Sequence, residues 1–252
     1  MDRMIHTALN TLKNLHDVRS TTANNLSSVD IPGFRKDLPN DGGTAFIQSM
    51  DQASARAMNL ETGKAGFSTR QGALRQLGSE MDIAVVSDGY LYVQPLNGEI
   101  ALSRRGDLSI DADGFLVNGA QERILNENLE PIELPPFAEF KLSESGEISV
   151  TPLDAPAGQF LQVDFLGTTS ATDERLSKGL DGQIRRPDGS VPAPDQQVKV
   201  AQGVLEASNV DTVSELIHSI ETQRQFEMGV KFIKLAEDID RGGAELMRLP
   251  QN

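Results

Sequence analysis

Ala23-Asn24-Asn25-Leu26-Ser27-Ser28-Val29-Asp30-Ile31-Pro32-Gly33-Phe34-Arg35 is the stretch at which this chain changes character. Before it, an apolar-periodic segment runs without Pro or Gly; after it, the sequence becomes loop-rich and then β-patterned. Pro32 disfavours helix at Ile31, and Gly33 admits backbone angles that other residues avoid, so a helix entering through Ala23 is expected to stop here. Phe34 then opens the next element.

Upstream, Ile5, Leu9, Leu12, His16, Arg19, Ala23 and Leu26 recur at alternating four- and three-residue spacing. A second seam runs through Ala8, Leu12, Leu15, Thr22, Leu26 and Val29. Both predict an amphipathic helix with coiled-coil character, about 25 residues and roughly 38 Å long. An ordinary core helix is the plainer alternative.

Downstream, residues 35–75 read as a linker or small extended subdomain, with a turn at Pro39, Gly42 and Gly43 and a short helix over Ala45 to Leu60. From Met81 short apolar runs alternate with turn dipeptides. Ile83-Ala84-Val85-Val86, Tyr90-Leu91-Tyr92-Val93, Ile100-Ala101-Leu102, Asp107 to Ile110, Phe115-Leu116-Val117 and Ile124-Leu125 are separated by Asp88-Gly89, Asn97-Gly98, Asp113-Gly114 and Asn118-Gly119. Further strands are expected over Phe140 to Leu142, Ile148 to Thr151 and Phe160 to Leu166, giving an antiparallel sandwich or irregular barrel.

From Val204 helix is expected to return. Val213, Leu216, Ile217 and Ile220 define an apolar face, Gln223 and Arg224 interrupt it, and Phe226, Val230, Ile233 and Ala236 resume it after a displacement. A helix with a shifting stripe is suited to neighbours on more than one side. The chain thus divides into an N-terminal assembly helix (1–34), a linker (35–75), a central β domain (76–200) and a C-terminal assembly helix (201–252). The expected fold is mixed α+β, with long N- and C-terminal α-helices pairing as a coiled coil around an antiparallel β-rich central domain.

The 252 residues carry a formal charge of −14, and clustered Lys and Arg of the kind a phosphate backbone requires are missing, which argues against nucleic acid as a partner. Residues 1–36 carry +2, residues 204–252 carry −4, and the middle carries −12. With no Cys there is no disulfide, thiol nucleophile or thiolate metal site. Arg3, His6, Asn10, Lys13 and Asn14 break up any signal-peptide core, and no stretch reaches the roughly 20 apolar residues of a membrane span, so no direct membrane insertion is expected.

Signals for catalysis are equally sparse. His6, His16 and His218 have no metal-ligand spacing. Asp111-Ala112-Asp113-Gly114 resembles a calcium loop, but aligning Gly114 with the loop's glycine puts Ser109 at the first ligand position and Ala120 where a bidentate Glu is needed. There is no Trp for a sugar platform, no GxSxG elbow and no phosphate-binding Gly loop before a helix. No cofactor or metal is expected, and the chain is read as a non-enzyme. The rival from another class is a secreted hydrolase with an acidic cleft in its β domain.

Three ordered places in the chain resemble one known family, the axial proteins of the bacterial flagellum, meaning rod and hook subunits. Ala23-Asn24-Asn25-Leu26 through Gly33-Phe34-Arg35 is similar to its N-terminal signature. Met81-Asp82-Ile83-Ala84-Val85 with Arg105-Gly106-Asp107 resembles its core. Gly203-Val204-Leu205-Glu206-Ala207-Ser208-Asn209-Val210 with Gln223-Arg224 and Phe226-Glu227 resembles its C-terminal signature. The opening Met1 to Ala8 and the compact length are most like proximal-rod members, with distal-rod members the close alternative. The chain departs from the family pattern at Asp30-Ile31, Tyr90-Leu91 and Leu216-Ile217.

The resemblance implies a structural subunit of the basal-body rod, exported by the flagellar type III apparatus without a cleaved signal peptide. It implies polymerisation with copies of itself and other rod proteins into a shaft that crosses the periplasm and transmits torque. The implied packing residues are Ile5, Leu9, Leu12, Leu15, Ala23, Asn24, Asn25, Leu26, Gly33 and Phe34 at the N-terminal end. At the C-terminal end they are Asn209, Val213, Leu216, Ile217, Ile220, Arg224, Phe226, Val230 and Ile233. Asn24 and Asn25, polar at the end of an apolar stripe, suit either register-setting hydrogen bonds or helix capping.

Overall fold

The computed structural model describes residues 2–39, 66–156, 158–171, 175–179, 181–195 and 197–246; the helix expected over Ala45 to Leu60 lies outside them. The chain divides into two units. One carries the two helices, α1 (Asp2–Ser27) and α2 (Thr212–Leu246); the other is a β-rich body built from Ser28–Lys36 and Phe67–Val210.

The body's strands are β1 (Leu74–Gln76), β2 (Ile83–Val85), β3 (Tyr90–Gln94), β4 (Ala101–Ser103), β5 (Leu108–Ile110), β6 (Leu116–Asn118), β7 (Arg123–Ile124), β8 (Phe137–Leu142) and β9 (Glu147–Pro152). They continue with β10 (Leu161–Phe165), β11 (Thr168–Thr169), β12 (Ser177–Lys178), β13 (Ile184–Arg185), β14 (Val200–Gln202) and β15 (Val204–Glu206). The largest sheet follows the order β12-β13-β4-β3-β7-β6-β5, with β11 also on β3.

β3 is its centre because it pairs along both edges. Leu91, Tyr92 and Val93 face Ser103, Leu102 and Ala101 of β4, while the other edge is shared by β11 at Tyr90 and Leu91 and by β7 at Val93 and Gln94. Its side chains alternate between two cores, as a period of two requires. Leu91 and Val93 enter a large core with Ile83, Val85, Leu116, Ile124, Ile132, Ile148, Val150 and Leu166. Tyr90 and Tyr92 enter a smaller one with Leu102, Leu125 and Ile184. The phenol of Tyr92 donates to the carbonyl of Pro192 at 2.7 Å, which satisfies a buried hydroxyl.

The turn dipeptides at Asn97-Gly98, Asp113-Gly114 and Asn118-Gly119 do connect paired neighbours: β3 with β4, β5 with β6 and β6 with β7. Asp88-Gly89 does not close a hairpin, since β2 pairs instead with β14, remote in sequence. An irregular barrel does not form. The main sheet is an open path with two ends, accompanied by a three-stranded sheet, β10-β9-β8, and two ribbons, β1-β15 and β14-β2.

Helix resumes at Thr212 and not at Val204. Val204–Glu206 is instead a strand on β1, turned out of β14 at Gly203 with φ of 74°. Asp211 starts α2 by capping, its Oδ1 accepting from the amides of Val213 at 3.0 Å and Ser214 at 3.3 Å.

The mixed α+β arrangement with terminal helices paired as a coiled coil is not what forms. Among the described residues there are only the two helices and the β-rich body. Five of the positions that would make the seam lie in solvent: Leu9 is 50% exposed, Val213 67%, Leu216 47%, Ile217 54% and Ile220 56%, while Leu12, Leu15, Leu26, Phe226, Val230 and Ile233 are half-buried. A knobs-into-holes seam would bury them. Among the described helical side chains the buried ones are Thr22 and Asn25 on α1 and Glu215, Thr222 and Ala236 on α2, all polar or small. α1 and α2 approach where one has no side chain, so that a Cβ added to Gly229 would stand 2.8 Å from Leu12 Cδ2.

One buried carboxyl adds a pH dependence to the body. Glu122 accepts from the Asn118 side-chain amide at 2.7 Å and from that of Gln183. Burial pushes its carboxyl above the ordinary range, against the opposing pull of Asn118, Arg105 and Gln183. The folded chain therefore holds this proton more tightly than the unfolded chain, and its contribution to stability rises as pH falls through the raised value. Denaturant titrations at several pH values should show the wild type gaining stability relative to Glu122→Gln on acidification from neutral pH; a constant difference would refute this. In the same assay Leu91→Ala should cost about 3–5 kcal/mol as a core truncation. Tyr92→Phe should cost about 1–2 kcal/mol, for one buried hydrogen bond.

Candidate functional site

The family-like stretches at the two ends of the chain come together in the β-rich body. Residues 28–33 leave the helical pattern through consecutive turns, with the Ile31 amide donating to Ser28 O and the Phe34 amide to Ile31 O, both at 3.3 Å. Gly33 has φ of 67°, and a Cβ there would lie 2.2 Å from Arg104 O, so both conformation and space demand glycine. Its amide donates to the Glu206 carbonyl at 2.7 Å.

Beside it sits a buried ionic knot. Glu206 Oε1 meets Arg35 Nη2 at 3.0 Å and accepts from the Gly72 amide at 2.8 Å, while Oε2 meets Arg104 Nε at 2.7 Å. The three side chains are 1–3% exposed. Arg104 spends its remaining donors on backbone carbonyls: Ser87 at 3.1 Å, Gly89 at 2.7 Å and Val85 at 2.7 Å. Arg35 Nη1 donates to Arg70 O. Two guanidinium groups thus share one carboxylate. Burial, and then the Arg104 charge, push Arg35 below its ordinary value, and Glu206 opposes both. The phenol of Tyr90, close to all three, is pushed up by burial.

Asn209 extends the knot. Its Nδ2 donates to Arg70 O at 2.7 Å and Ser68 O at 3.3 Å, and its Oδ1 accepts from the Lys36 amide at 2.7 Å. Lys178 closes the other side, its ammonium 3.6 Å from the centroid of the Phe34 ring and donating to Arg35 O at 2.8 Å.

The remaining candidate residues lie on the helical unit. Ile5 falls within α1, Leu12, Leu15 and Leu26 are half-buried, and Ala23 is exposed with Leu9. On α2, Arg224 is exposed with Val213, Leu216, Ile217 and Ile220, while Phe226, Val230 and Ile233 are half-buried. Asn24 and Asn25 hold Asp37. Buried Asn25 pairs with its backbone, Nδ2 to O at 2.9 Å and N to Oδ1 at 2.8 Å, and exposed Asn24 donates to its carboxylate at 2.6 Å. Among the described residues no group of three or more His, Cys, Asp or Glu could hold a metal, and no helix is long and apolar enough to cross a membrane.

Sequence reasoning did not single out Arg35, Arg104, Glu206 and Lys178 as residues that would meet. The available signal was a charge inside an apolar strand, Glu206 after Val204-Leu205, which must find a partner if buried. Nothing local points to Arg104.

Residues 84–150 match the family model described as the flagellar hook protein FlgE/F/G D1 domain, and residues 201–246 match that of the flagellar basal body rod FlgEFG protein C-terminal region. Over both regions the chain is similar to the flagellar rod and hook proteins, a structural family and not one of enzymes, and the hydrolase reading is set aside.

Within that family it resembles the basal-body rod proteins named FlgF. It is 29% identical to FlgF of Escherichia coli strain K12, covering 94% of this chain and 95% of the relative. It is 26% identical to FlgF of Salmonella typhimurium, covering 99% and 100%. The FlgG rod protein of Bacillus subtilis is 26% identical, covering 95% and 97%.

Replacing Gly33 by Ala should lower stability by about 2–4 kcal/mol, from left-handed strain and the clash with Arg104 O. Equilibrium unfolding measures it, and a change within about 0.5 kcal/mol would refute the assigned role.

Proposed function

We propose that the chain is a subunit of the proximal flagellar rod, assembling in the basal body with copies of itself and with other rod proteins. Near-full-length similarity to FlgF proteins carries this reading. The exposed apolar groups of α2, among them Val213, Leu216, Ile217, Ile220, Phe232 and Leu235, supply the assembly surface. They run along both halves of a 35-residue helix, as contact with more than one neighbour requires.

In this reading the chain leaves the cell interior through the flagellar type III export apparatus, and the rod it joins crosses the periplasm and transmits torque. The N-terminal segment 1–34 and the C-terminal segment that includes α2 are the assembly elements, and the acidic central domain faces outward. The likeness to FlgG, at similar identity and coverage, favours a distal-rod position as the second reading.

A tagged chain should co-purify with basal bodies, and its level in the purified rod should separate proximal from distal placement. Absence from basal bodies would refute both. The purified chain should also polymerise with concentration, and Leu26→Asp or Ile220→Asp should abolish this while leaving the folded monomer intact. Unchanged polymerisation of both variants would exclude the helical surface.

A further inference from the structure

The β-rich body joins the rest of the chain through the ends of three segments, residues 28–36, 67–73 and 204–210. Within the body these segments are laced directly to one another. The Ser68 amide donates to Lys36 O at 2.8 Å, the Ala207 amide to Ala73 O at 2.8 Å, and the Asn209 amide to Phe34 O at 3.2 Å. Leu74, Arg75 and Gln76 then continue the second segment in register against Glu206, Leu205 and Val204. Asn209 bridges all three, holding Lys36 with its oxygen and Ser68 and Arg70 with its nitrogen.

At the centre stands Glu206. Its carboxylate touches the first segment at Arg35, the second at the Gly72 amide, and the main sheet at Arg104 beside β4. Space allows no alternative packing, since a Cβ at Gly72 would lie 1.9 Å from Ala207 O. Apolar residues of similar volume often serve stability as well as a buried ionic triad, whereas charges with directional partners tolerate one geometry.

We propose that the Arg35–Glu206–Arg104 knot, with Asn209 beside it, is a torsional clasp. It fastens the three connecting segments into one coupling, so that strain applied to the subunit is shared by all three and returned to the main sheet through Arg104. The mechanical role rests on the rod reading above; the clasp itself rests on the geometry.

The test uses the full-length chain as wild type, Glu206→Gln and Asn209→Ala, followed by hydrogen exchange resolved by segment. Exchange in residues 33–36, 68–73 and 204–210 should accelerate together by about ten-fold or more, with β3 and β4 within about two-fold of wild type. Uniform acceleration, or acceleration of one segment alone, overturns the clasp. If Glu206→Gln does not fold, Asn209→Ala decides the question, because it removes neutral hydrogen bonds without stranding a buried charge.

The same variants, produced in flagellated cells lacking the native copy and compared with wild type at equal levels in purified basal bodies, are read by swimming speed at graded medium viscosity. Their speed relative to wild type should fall as medium viscosity rises. A ratio independent of viscosity overturns the mechanical role. Absence of the wild-type chain from basal bodies overturns the rod reading, and the mechanical role with it, whereas segment-specific exchange still establishes the clasp.

Discussion

The Glu206 carboxylate, sealed between two guanidinium groups, is the constraint on which the junction of the body's three connecting segments depends. Removing ions from water costs several kcal/mol each, and that cost is offset only when every partner is in place. Arg104 can meet Glu206 only while its other donors reach Val85, Ser87 and Gly89, which fixes the end of β2 and the entry to β3. Arg35 can meet it only if Gly33 adopts its left-handed turn under the Arg104 carbonyl. One carboxylate therefore ties together residues 33–36, the entry to the central strand and residues 204–207 within the body.

β3 plays the corresponding role for the apolar interior. Strands of three or five residues are too short to be stable alone, and they persist here because β3 feeds side chains into two cores at once. Local turns build the β3–β7 portion of the sheet, but the body is closed by pairings between residues more than a hundred positions apart, β2 with β14 and β1 with β15. The C-terminal part of the chain is thus needed to complete the fold before α2 begins.

The helices follow a different logic. Among their described side chains the buried ones are polar or small, and many of the large apolar groups stand in solvent. Exposed apolar surface of this kind suits association, which is the use the proposed rod function gives it. Asn25 shows the same division. Its amide occupies the buried side of α1 and engages the Asp37 backbone, leaving the exposed side for other contacts.

Local chemistry was legible in the sequence. The end of α1, marked by Pro32 and Gly33, the hairpins at Asn97-Gly98, Asp113-Gly114 and Asn118-Gly119, and the two faces of β3 follow from backbone sterics and a two-residue period, which act over a few positions. Family resemblance was legible too, through three motifs in order. The pairing of β2 with β14, the strand at Val204–Glu206 and the union of Arg35, Arg104 and Glu206 were not, because periodicity records which face is apolar and not which distant segment will cover it. The coiled-coil expectation failed for a related reason: apolar spacing along a helix states what can be buried, while the tertiary structure decides what is. By itself the sequence determined where elements begin and turn; only the tertiary structure decided which charge meets which, since a buried ion pair is defined by partners that chain distance does not reveal.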